Sequence, residues 1–249
     1  MNEKQKTLRQ PVSVSGTGLH TGRKATLSLK PAPENHGYKF QRIDLEDHPV
    51  IDAVAENVID TQRGTTIGKN GVQINTTEHV LAACFGMGLD NVLIELDGPE
   101  APILDGSAKF YTEAIEEAGI VEQQGNKTWV ELKTNITFSN PDKKVELLAI
   151  PARAFKVSVM IDFDEELLGT QFAVMDRIAD FKTGIAPCRT FVFLHELEYL
   201  IQNNLIKGGD LDNAIIFVNR IISQDELDRL ANLFNKPKVE VLLLSLIHI

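Results

Sequence analysis

The sequence predicts an α+β protein with two similar domains, each a mainly antiparallel sheet with two helices. Three observations predict this class. Short segments in which hydrophobic and polar residues alternate occur in groups, each group is followed by a pair of helical segments, and this order occurs twice. The chain has 249 residues, 43% of them hydrophobic, enough for one large or two modest domains. We place the first domain at residues 1–124 and the second at residues 128–249.

Charge, cysteine content and the chain ends restrict the possible functions. A formal net charge of −10 argues against a nucleic-acid partner, which needs clustered Lys and Arg. Cys84 and Cys188 show neither CxxC spacing nor a disulfide framework. The first residues lack the apolar region of a secretory signal. The apolar run at residues 239–249 is shorter than the roughly 20 residues of a membrane span. We therefore expect a cytoplasmic protein with no membrane span.

Two hairpins are predicted in the first 75 residues. The alternating stretches PVSV and ATLSLK flank the loop SGTGLHTGR, whose three glycines suit a long connection. In TTIGKNGVQIN, Asn70 and Gly71 separate two alternating stretches, which is the signal of a type I′ turn. The glycine-rich loop lacks the Gly-Lys-Ser/Thr ending of a phosphate-binding loop, which disfavours a nucleotide hydrolase.

The segment that follows predicts a helix, a strand and a second helix. In NTTEHVLAACFGMGLDNVLIEL, Asn75 and Glu78 have capping-box spacing, and the apolar stripe predicts a short helix ending at Gly88. NVLIEL is typical of a strand. DGSAKFYTEAIEEAG predicts the second helix, with Ser107 as its N-cap and Gly119 just beyond its end.

The second half of the chain repeats this plan after a predicted linker. The polar run EQQGNK at residues 122–127 has no periodicity and predicts the linker. Strands are predicted over TWVELK, KVELLAI and FKVSVMIDF, interrupted by the turn SNPDKK. CRTFVF and NAIIFV follow as strands, with helices over HELEYLIQNN and SQDELDRLANLF. Ser223 and Glu226 form a capping box at the start of the last helix.

Glu78 and His79 are the residue pair with the clearest chemical potential. A neutral imidazole is a good zinc ligand, and an adjacent carboxylate can take a proton from a zinc-bound water. Both side chains lie in the first turn of the predicted helix. An isolated Glu-His pair is much less specific than the HExxH signature. From the residues alone, a structural role for the pair therefore stays open.

For other polar residues, the sequence alone favours structural roles over catalytic ones. Thr190 begins the strand CRTFVF and offers a hydroxyl for a developing oxyanion, although a β-branched residue is ordinary in a strand. His20 lies in the glycine-rich loop, where a structural hydrogen bond is the simpler role. The remaining histidines, which have no partner at metal-ligand spacing, are His36, His48, His195 and His248.

Taken together, these segments resemble the UDP-3-O-acyl-N-acetylglucosamine deacetylase family, zinc amidases of lipid A synthesis. The resemblance covers about residues 6–240 in the family's order and spacing. It is carried by KTLRQPVSVSGTGLHTG, TTEHVLAACFGMGLDNVLIEL, APILDGSA, MIDF, CRTFVF and IKGGDLDNAIIF. It implies that the helices are sandwiched between the two sheets. It also implies a monomer that acts on a UDP-linked acylated glucosamine and releases acetate.

The resemblance implies specific roles for individual residues. His79 matches the first zinc ligand and Glu78 matches the general base. Thr190 matches the threonine that polarises the acetyl carbonyl or its oxyanion. The positions that match contacts to the sugar and nucleotide are Phe191, Asp162 and Phe163.

The sequence departs from the family near its end. The family's other zinc ligands, in a His-Lys-x-x-Asp pattern, and a later catalytic histidine are absent, and the similarity stops at about Leu242. We therefore expect an incomplete second domain and little or no deacetylase activity from these 249 residues. Two alternatives stay open. One is the front part of a fusion with a 3-hydroxyacyl-carrier-protein dehydratase, and the other is a non-catalytic nucleotide-sugar binding module.

Overall fold

The first half of the chain forms ten strands and two helices. The computed structural model describes residues 3–164, 168–203, 207–210, 212–218, 220 and 222–234. In chain order, the elements up to residue 126 are β1 (Lys4–Leu8), β2 (Val12–Thr17), β3 (Lys24–Pro31), β4 (Tyr38–Arg42), β5 (Val50–Asp52), β6 (Val58–Asp60), β7 (Thr66–Lys69), β8 (Val72–Ile74), α1 (Glu78–Gly86), β9 (Val92–Leu96), α2 (Lys109–Ala118) and β10 (Ile120–Asn126).

A five-stranded sheet in the order β2-β3-β9-β4-β5 organises this half. The first predicted hairpin is confirmed, because β2 and β3 pair antiparallel from Val12 opposite Leu29. β9 runs antiparallel to β3 and parallel to β4. The second predicted hairpin, β7–β8, belongs to a separate three-stranded sheet with β6. Its turn has the positive φ angles of a type I′ turn, 53° at Asn70 and 81° at Gly71.

The main core lies between the five-stranded sheet and the two helices. Alternate side chains of β3 and β9 point inward, so Leu27, Leu29, Ile94 and Leu96 are almost completely buried. Val80, Ala83 and Cys84 of α1 and Tyr111, Ile115 and Ala118 of α2 join the same cluster. The apolar positions of the strands and helices therefore form one core, and the start of α1 lies at the edge of that core.

The two predicted helix N-caps are wrong in detail. Thr77, and not Asn75, precedes α1. The Asn75 side chain instead accepts a hydrogen bond from the Thr66 hydroxyl. Ala108 caps α2, although the Ser107 hydroxyl still accepts the N–H of Lys109. For Asn75, the contact with the segment at Thr66 outweighs the local capping signal.

The predicted linker is also wrong, because residues 120–126 form strand β10. β10 pairs antiparallel with β1, from Leu8 opposite Ile120 to Lys4 opposite Asn126. Its polar side chains make structural hydrogen bonds: the Gln123 amide donates to the Ala32 carbonyl at 2.9 Å. The division into two domains near this point stays a prediction.

The second half contains six strands and two helices among the described residues. They are β11 (Ile136–Asn140), β12 (Val145–Ala149), β13 (Val157–Asp162), β14 (Thr170–Met175), β15 (Phe191–Phe193), α3 (Leu194–Gln202), β16 (Ile215–Phe217) and α4 (Gln224–Leu233). The predicted SNPDKK turn is confirmed: it is a 3₁₀ turn at Pro141–Lys143 between β11 and β12. β11 and β14 were not predicted. TWVELK forms no strand, and Trp129 and Val130 are exposed.

Within this half, a β–α–β unit lies next to the candidate functional site described below. β15 and β16 pair in parallel, with Phe191 opposite Ile215, and α3 connects them. The predicted capping box of α4 is confirmed, because the Ser223 N–H donates to Glu226 and the Glu226 N–H donates back to the Ser223 hydroxyl. The fold is thus mixed α+β with mostly antiparallel sheets. Domain duplication and helices sandwiched between two sheets stay predictions.

Candidate functional site

Glu78 and His79 occupy the first turn of α1 at the edge of the core. Thr65 fixes this turn from the loop before β7. Its N–H donates to Glu78 Oε2 at 2.8 Å, and its carbonyl accepts both the N–H and the hydroxyl of Thr77. The Glu78 carboxylate is therefore held in one orientation while its side chain stays 37% exposed. It is accessible to a small molecule in the adjoining space.

His79 is a largely buried imidazole, with its side chain 19% exposed, that favours the neutral form. Burial lowers its pKa below the ordinary value of 6.5, against the opposing charges of Glu78 and Asp105. Its Nε2 lies 3.9 Å from Glu78 Oε1. A neutral imidazole beside a carboxylate suits metal binding and proton transfer.

The glycine-rich loop brings His20 to the same region. The His20 N–H donates to Glu100 Oε1 at 2.9 Å, and the Thr21 N–H donates to Glu100 Oε2 at 2.8 Å. A Cβ added at Gly64 would lie 3.2 Å from Glu78 Oε1 and 3.7 Å from His20 Nε2. Gly64 thus lies between the carboxylate and the imidazole. Sequence reasoning did not predict the role of Glu100, which lies in a segment without periodicity.

Thr190 is held beside the APILDGSA segment. Its N–H donates to the Gly106 carbonyl at 2.7 Å, and its carbonyl accepts the Ile215 N–H at 2.9 Å. The neighbouring Arg189 donates from Nε to the Asp105 carbonyl at 2.6 Å. These bonds connect the loop between β9 and α2 to the β–α–β unit, and they leave the Thr190 side chain half-buried.

Two neighbouring cavities share His20 and Arg63. The first has a volume of about 300 Å³ and is lined mainly by polar residue types, namely His20, Asp60, Gln62, Arg63, Gly64, Thr66, Asn75 and Thr76. The second has a volume of about 380 Å³ and a mixed lining. Its polar lining residues are His20, Arg63, Thr190, Glu196 and Asp210, and its apolar ones are Leu19, Phe191, Val192, Leu197, Leu200, Ala214, Ile216 and Phe234. Arg63, which sequence reasoning also missed, belongs to both.

The structure brings together two of the three residues expected to contact substrate. Phe163 packs edge-to-face on Phe191, with ring centroids 5.5 Å apart, and also contacts Phe193. Asp162 is exposed, and its Oδ1 accepts the N–H of Asp164. Its expected role as a substrate contact stays a prediction.

Within the described part of the chain, His79 is the predicted zinc ligand, and that role stays a prediction. Its imidazole is chemically suited to this role because burial favours the neutral form and the side chain keeps 19% of its surface exposed. Over those same residues, no group of three or more His, Cys, Asp or Glu side chains is arranged to hold a metal. His248 lies outside the described residues. A catalytic zinc ion normally takes three protein ligands, so the described residues fit a part of such a site and not a complete one.

The fold and site define a class: an α+β protein with a carboxylate–imidazole pair at a helix start, next to Gly64 in the lining of the first cavity, an arrangement suited to hydrolytic chemistry. The family model for UDP-3-O-acyl N-acetylglycosamine deacetylase matches residues 5–239. The chain belongs to this family.

Relatives of two kinds resemble the chain. It is 46% identical over 237 residues to a "Bifunctional enzyme LpxC/FabZ" of Bacteroides thetaiotaomicron, covering 95% of this chain and 51% of the relative. A protein of the same name from Porphyromonas gingivalis is 44% identical, with 96% and 52% covered. The "UDP-3-O-acyl-N-acetylglucosamine deacetylase" of Syntrophotalea carbinolica is 42% identical, with 85% and 68% covered. The chain spans about half the length of the bifunctional relatives.

Among the described residues, no helix has both the length and the apolar character needed to cross a bilayer.

Proposed function

We propose that this chain carries the substrate-binding and part of the catalytic apparatus of a deacetylase that hydrolyses the N-acetyl group of a UDP-3-O-acyl-N-acetylglucosamine, releasing acetate in lipid A synthesis. The observation that carries the proposal is the partly exposed Glu78–His79 pair at the start of α1, in a chain that matches the deacetylase family along residues 5–239. A cytoplasmic location and a monomeric state are part of the same proposal.

Glu78 is the proposed general base. The Thr65 N–H holds one carboxylate oxygen, which leaves the other facing the space beside Gly64 and His20. A carboxylate in this position accepts a proton from a water molecule as the water attacks the acetyl carbonyl. The Thr190 hydroxyl is the proposed donor to the oxygen that becomes negatively charged in this step.

The second cavity suits the 3-O-acyl chain of the proposed substrate. Its apolar lining residues come mainly from β15, α3 and β16, and its polar lining residues include Thr190 and His20. An acyl chain gains free energy by leaving water for such an apolar lining. The adjacent Phe163–Phe191 pair offers aromatic surface to the sugar or base. Asp162 completes the proposed set of substrate contacts.

Zinc is the proposed cofactor, and His79 is its proposed ligand in the described residues. A zinc ion in this family's chemistry lowers the pKa of water and polarises the carbonyl. Because the described residues supply one ligand, we expect little turnover by the isolated 249-residue chain.

A paired experiment tests the proposal. First, calorimetry measures binding of the UDP-linked substrate to the chain, with Phe191→Ala as the site variant and the exposed Phe110→Ala as the matched control. We expect weaker binding only for Phe191→Ala. Second, residues 5–239 replace the matching segment of the Bacteroides thetaiotaomicron relative, and acetate release by this chimera is measured. Absence of both binding and acetate release contradicts the proposal.

Two alternatives lead to different results. A non-catalytic binding module predicts that Glu78→Ala and His79→Ala leave the chimera's acetate release unchanged, whereas an enzyme loses most of it. The similarity to bifunctional LpxC/FabZ enzymes favours the other alternative, a deacetylase joined to a 3-hydroxyacyl-carrier-protein dehydratase. The encoding gene's sequence past codon 249, read for the His-Lys-x-x-Asp pattern and a dehydratase segment, tests that alternative.

A further inference from the structure

Glu100 is a buried carboxylate that accepts hydrogen bonds from two separate segments. Its side chain belongs to a residue only 1% exposed. From the glycine-rich loop it accepts the His20 N–H at 2.9 Å, the Thr21 N–H at 2.8 Å and the Thr21 hydroxyl at 2.7 Å. From the segment before α1 it accepts the Thr76 hydroxyl at 2.9 Å. Buried carboxylates are costly unless their oxygens are satisfied, and these four donors satisfy them.

Thr76 has a backbone conformation that needs such support. Its φ angle is +58° and it is 3% exposed. A β-branched residue rarely adopts a positive φ, because its Cβ substituents crowd the backbone. Strained residues of this kind persist where surrounding contacts over-determine them, and they cluster at functional sites. Glu78 follows Thr76 by two residues.

The backbone near Glu100 holds the same segment. Asn75 and Glu100 form an isolated parallel bridge. The Asn75 N–H donates to the Pro99 carbonyl at 2.9 Å, and the Ala101 N–H donates to the Asn75 carbonyl at 3.1 Å. The side-chain bond to Thr76 therefore continues a backbone connection, and together they fix the direction in which the chain enters α1.

We propose that Glu100 is a positioning residue that sets the start of α1 against the His20 loop, and thereby holds Glu78 and His79 in their working geometry. The proposal rests on the proposed function for the roles of Glu78 and His79. Glu100 itself touches no reacting atom; it acts through Thr76 on one side and through Thr21 on the other.

The hydrogen bond from Thr65 to Glu78 provides a direct reporter of this positioning. The Thr65 N–H donates to Glu78 Oε2. If Glu100 fixes the start of α1, removing its contacts must weaken this bond, although Thr65 does not contact Glu100 in any described hydrogen bond. A purely local structural role changes only the amides that bind Glu100 itself.

The test measures amide hydrogen exchange by NMR in the ¹⁵N-labelled 249-residue chain. Glu100→Gln keeps the shape of the side chain but loses its charge and one acceptor atom. We expect at least about tenfold faster exchange at the His20, Thr21 and Thr65 amides, as for loss of a charge-assisted hydrogen bond. The Ile94 amide in β9 reports global opening and is expected to change less. Glu113→Gln, an exposed change on α2, is the matched control.

Two further variants separate strain from hydrogen bonding and serve if Glu100→Gln does not fold. Thr76→Val keeps the β-branched shape and removes the hydroxyl, so we expect faster exchange at Thr65. Thr76→Ser keeps the hydroxyl, so we expect Thr65 to exchange within about threefold of the original chain. These variants also distinguish a positioning role from a loss of packing.

An unchanged Thr65 amide in both Glu100→Gln and Thr76→Val overturns the proposal. Acceleration of Ile94 to the same extent as Thr65 also overturns it, because the effect is then global. The readout does not involve acetate release. A chimera without deacetylase activity therefore contradicts the proposed function while leaving the exchange result to decide the role of Glu100.

Discussion

Replacing Gly106 by alanine tests the contact that places Thr190 at the site. Gly106 has φ +85°, and a Cβ there would overlap the backbone carbonyl of Asn213 and lie 3.1 Å from Thr190 Cγ2. Gly71 is a matched control, since its φ is +81° and a Cβ there meets nothing within 4 Å. Both substitutions incur left-handed strain, but only Gly106→Ala forces packed groups apart.

The expected magnitudes follow from these two effects. Alanine in the left-handed region costs about 1–2 kcal/mol, and displacing packed groups costs about a further 1–3 kcal/mol. We expect Gly71→Ala to lower the free energy of unfolding by the first amount and Gly106→Ala by the sum. For a chain of this size, the difference corresponds to a Tm about 2–12 °C lower for Gly106→Ala.

Thermal and urea unfolding of the two variants provide the assay. Circular dichroism follows secondary structure in both experiments, and the urea midpoint gives the difference in free energy if the m-value is unchanged. Equal destabilisation by Gly106→Ala and Gly71→Ala would refute the reasoning, because it means that Gly106 does not pack against Asn213 and Thr190 in solution.

Three other outcomes follow from the buried groups. Burial raises the pKa of the Cys84 thiol to about 12, so a thiol reagent at pH 8 is expected to label only the exposed Cys188 in the folded chain and both cysteines after denaturation, as counted by mass spectrometry. The pKa of His79 lies below 6.5 in the folded state; the unfolded chain therefore binds more protons there as pH falls below 6.5, and His79→Gln is expected to reduce the loss of stability between pH 7 and 5 in urea titrations. Tyr111→Phe removes a buried hydrogen bond of 2.6 Å to the Pro102 carbonyl and is expected to lower the free energy of unfolding by about 1–3 kcal/mol; a change below about 0.3 kcal/mol contradicts that bond.

Elements specified by local chemistry could be predicted from the sequence. The Asn70–Gly71 turn needs two positive φ angles that these residues tolerate, and the α4 capping box needs only residues three apart. The EQQGNK strand could not be predicted in this way, because its partner β1 lies more than 100 residues earlier in the chain. Conversely, TWVELK alternates like a strand, but no described strand pairs with it.

The candidate site also combines features that local sequence predicts with features that depend on distant segments. The positions of Glu78 and His79 at a helix start follow from a local pattern. Thr190, expected at the start of the strand CRTFVF, lies immediately before β15. Glu100 and Arg63 carried no sequence signal, because their importance comes from segments that meet only in the fold. The Asn75 cap failed for the same reason: its backbone pairs with residues 99–101.

The central claim is that Glu78 acts as the base in a deacetylation. The most direct measurement is kcat and KM for acetate release by the chimera that carries residues 5–239, with and without Glu78→Gln. Loss of a general base predicts a kcat about 10²–10⁴-fold lower with KM little changed, while the exposed control Glu113→Gln keeps the original values. A Glu78→Gln chimera whose kcat stays within about threefold of the original contradicts the claim.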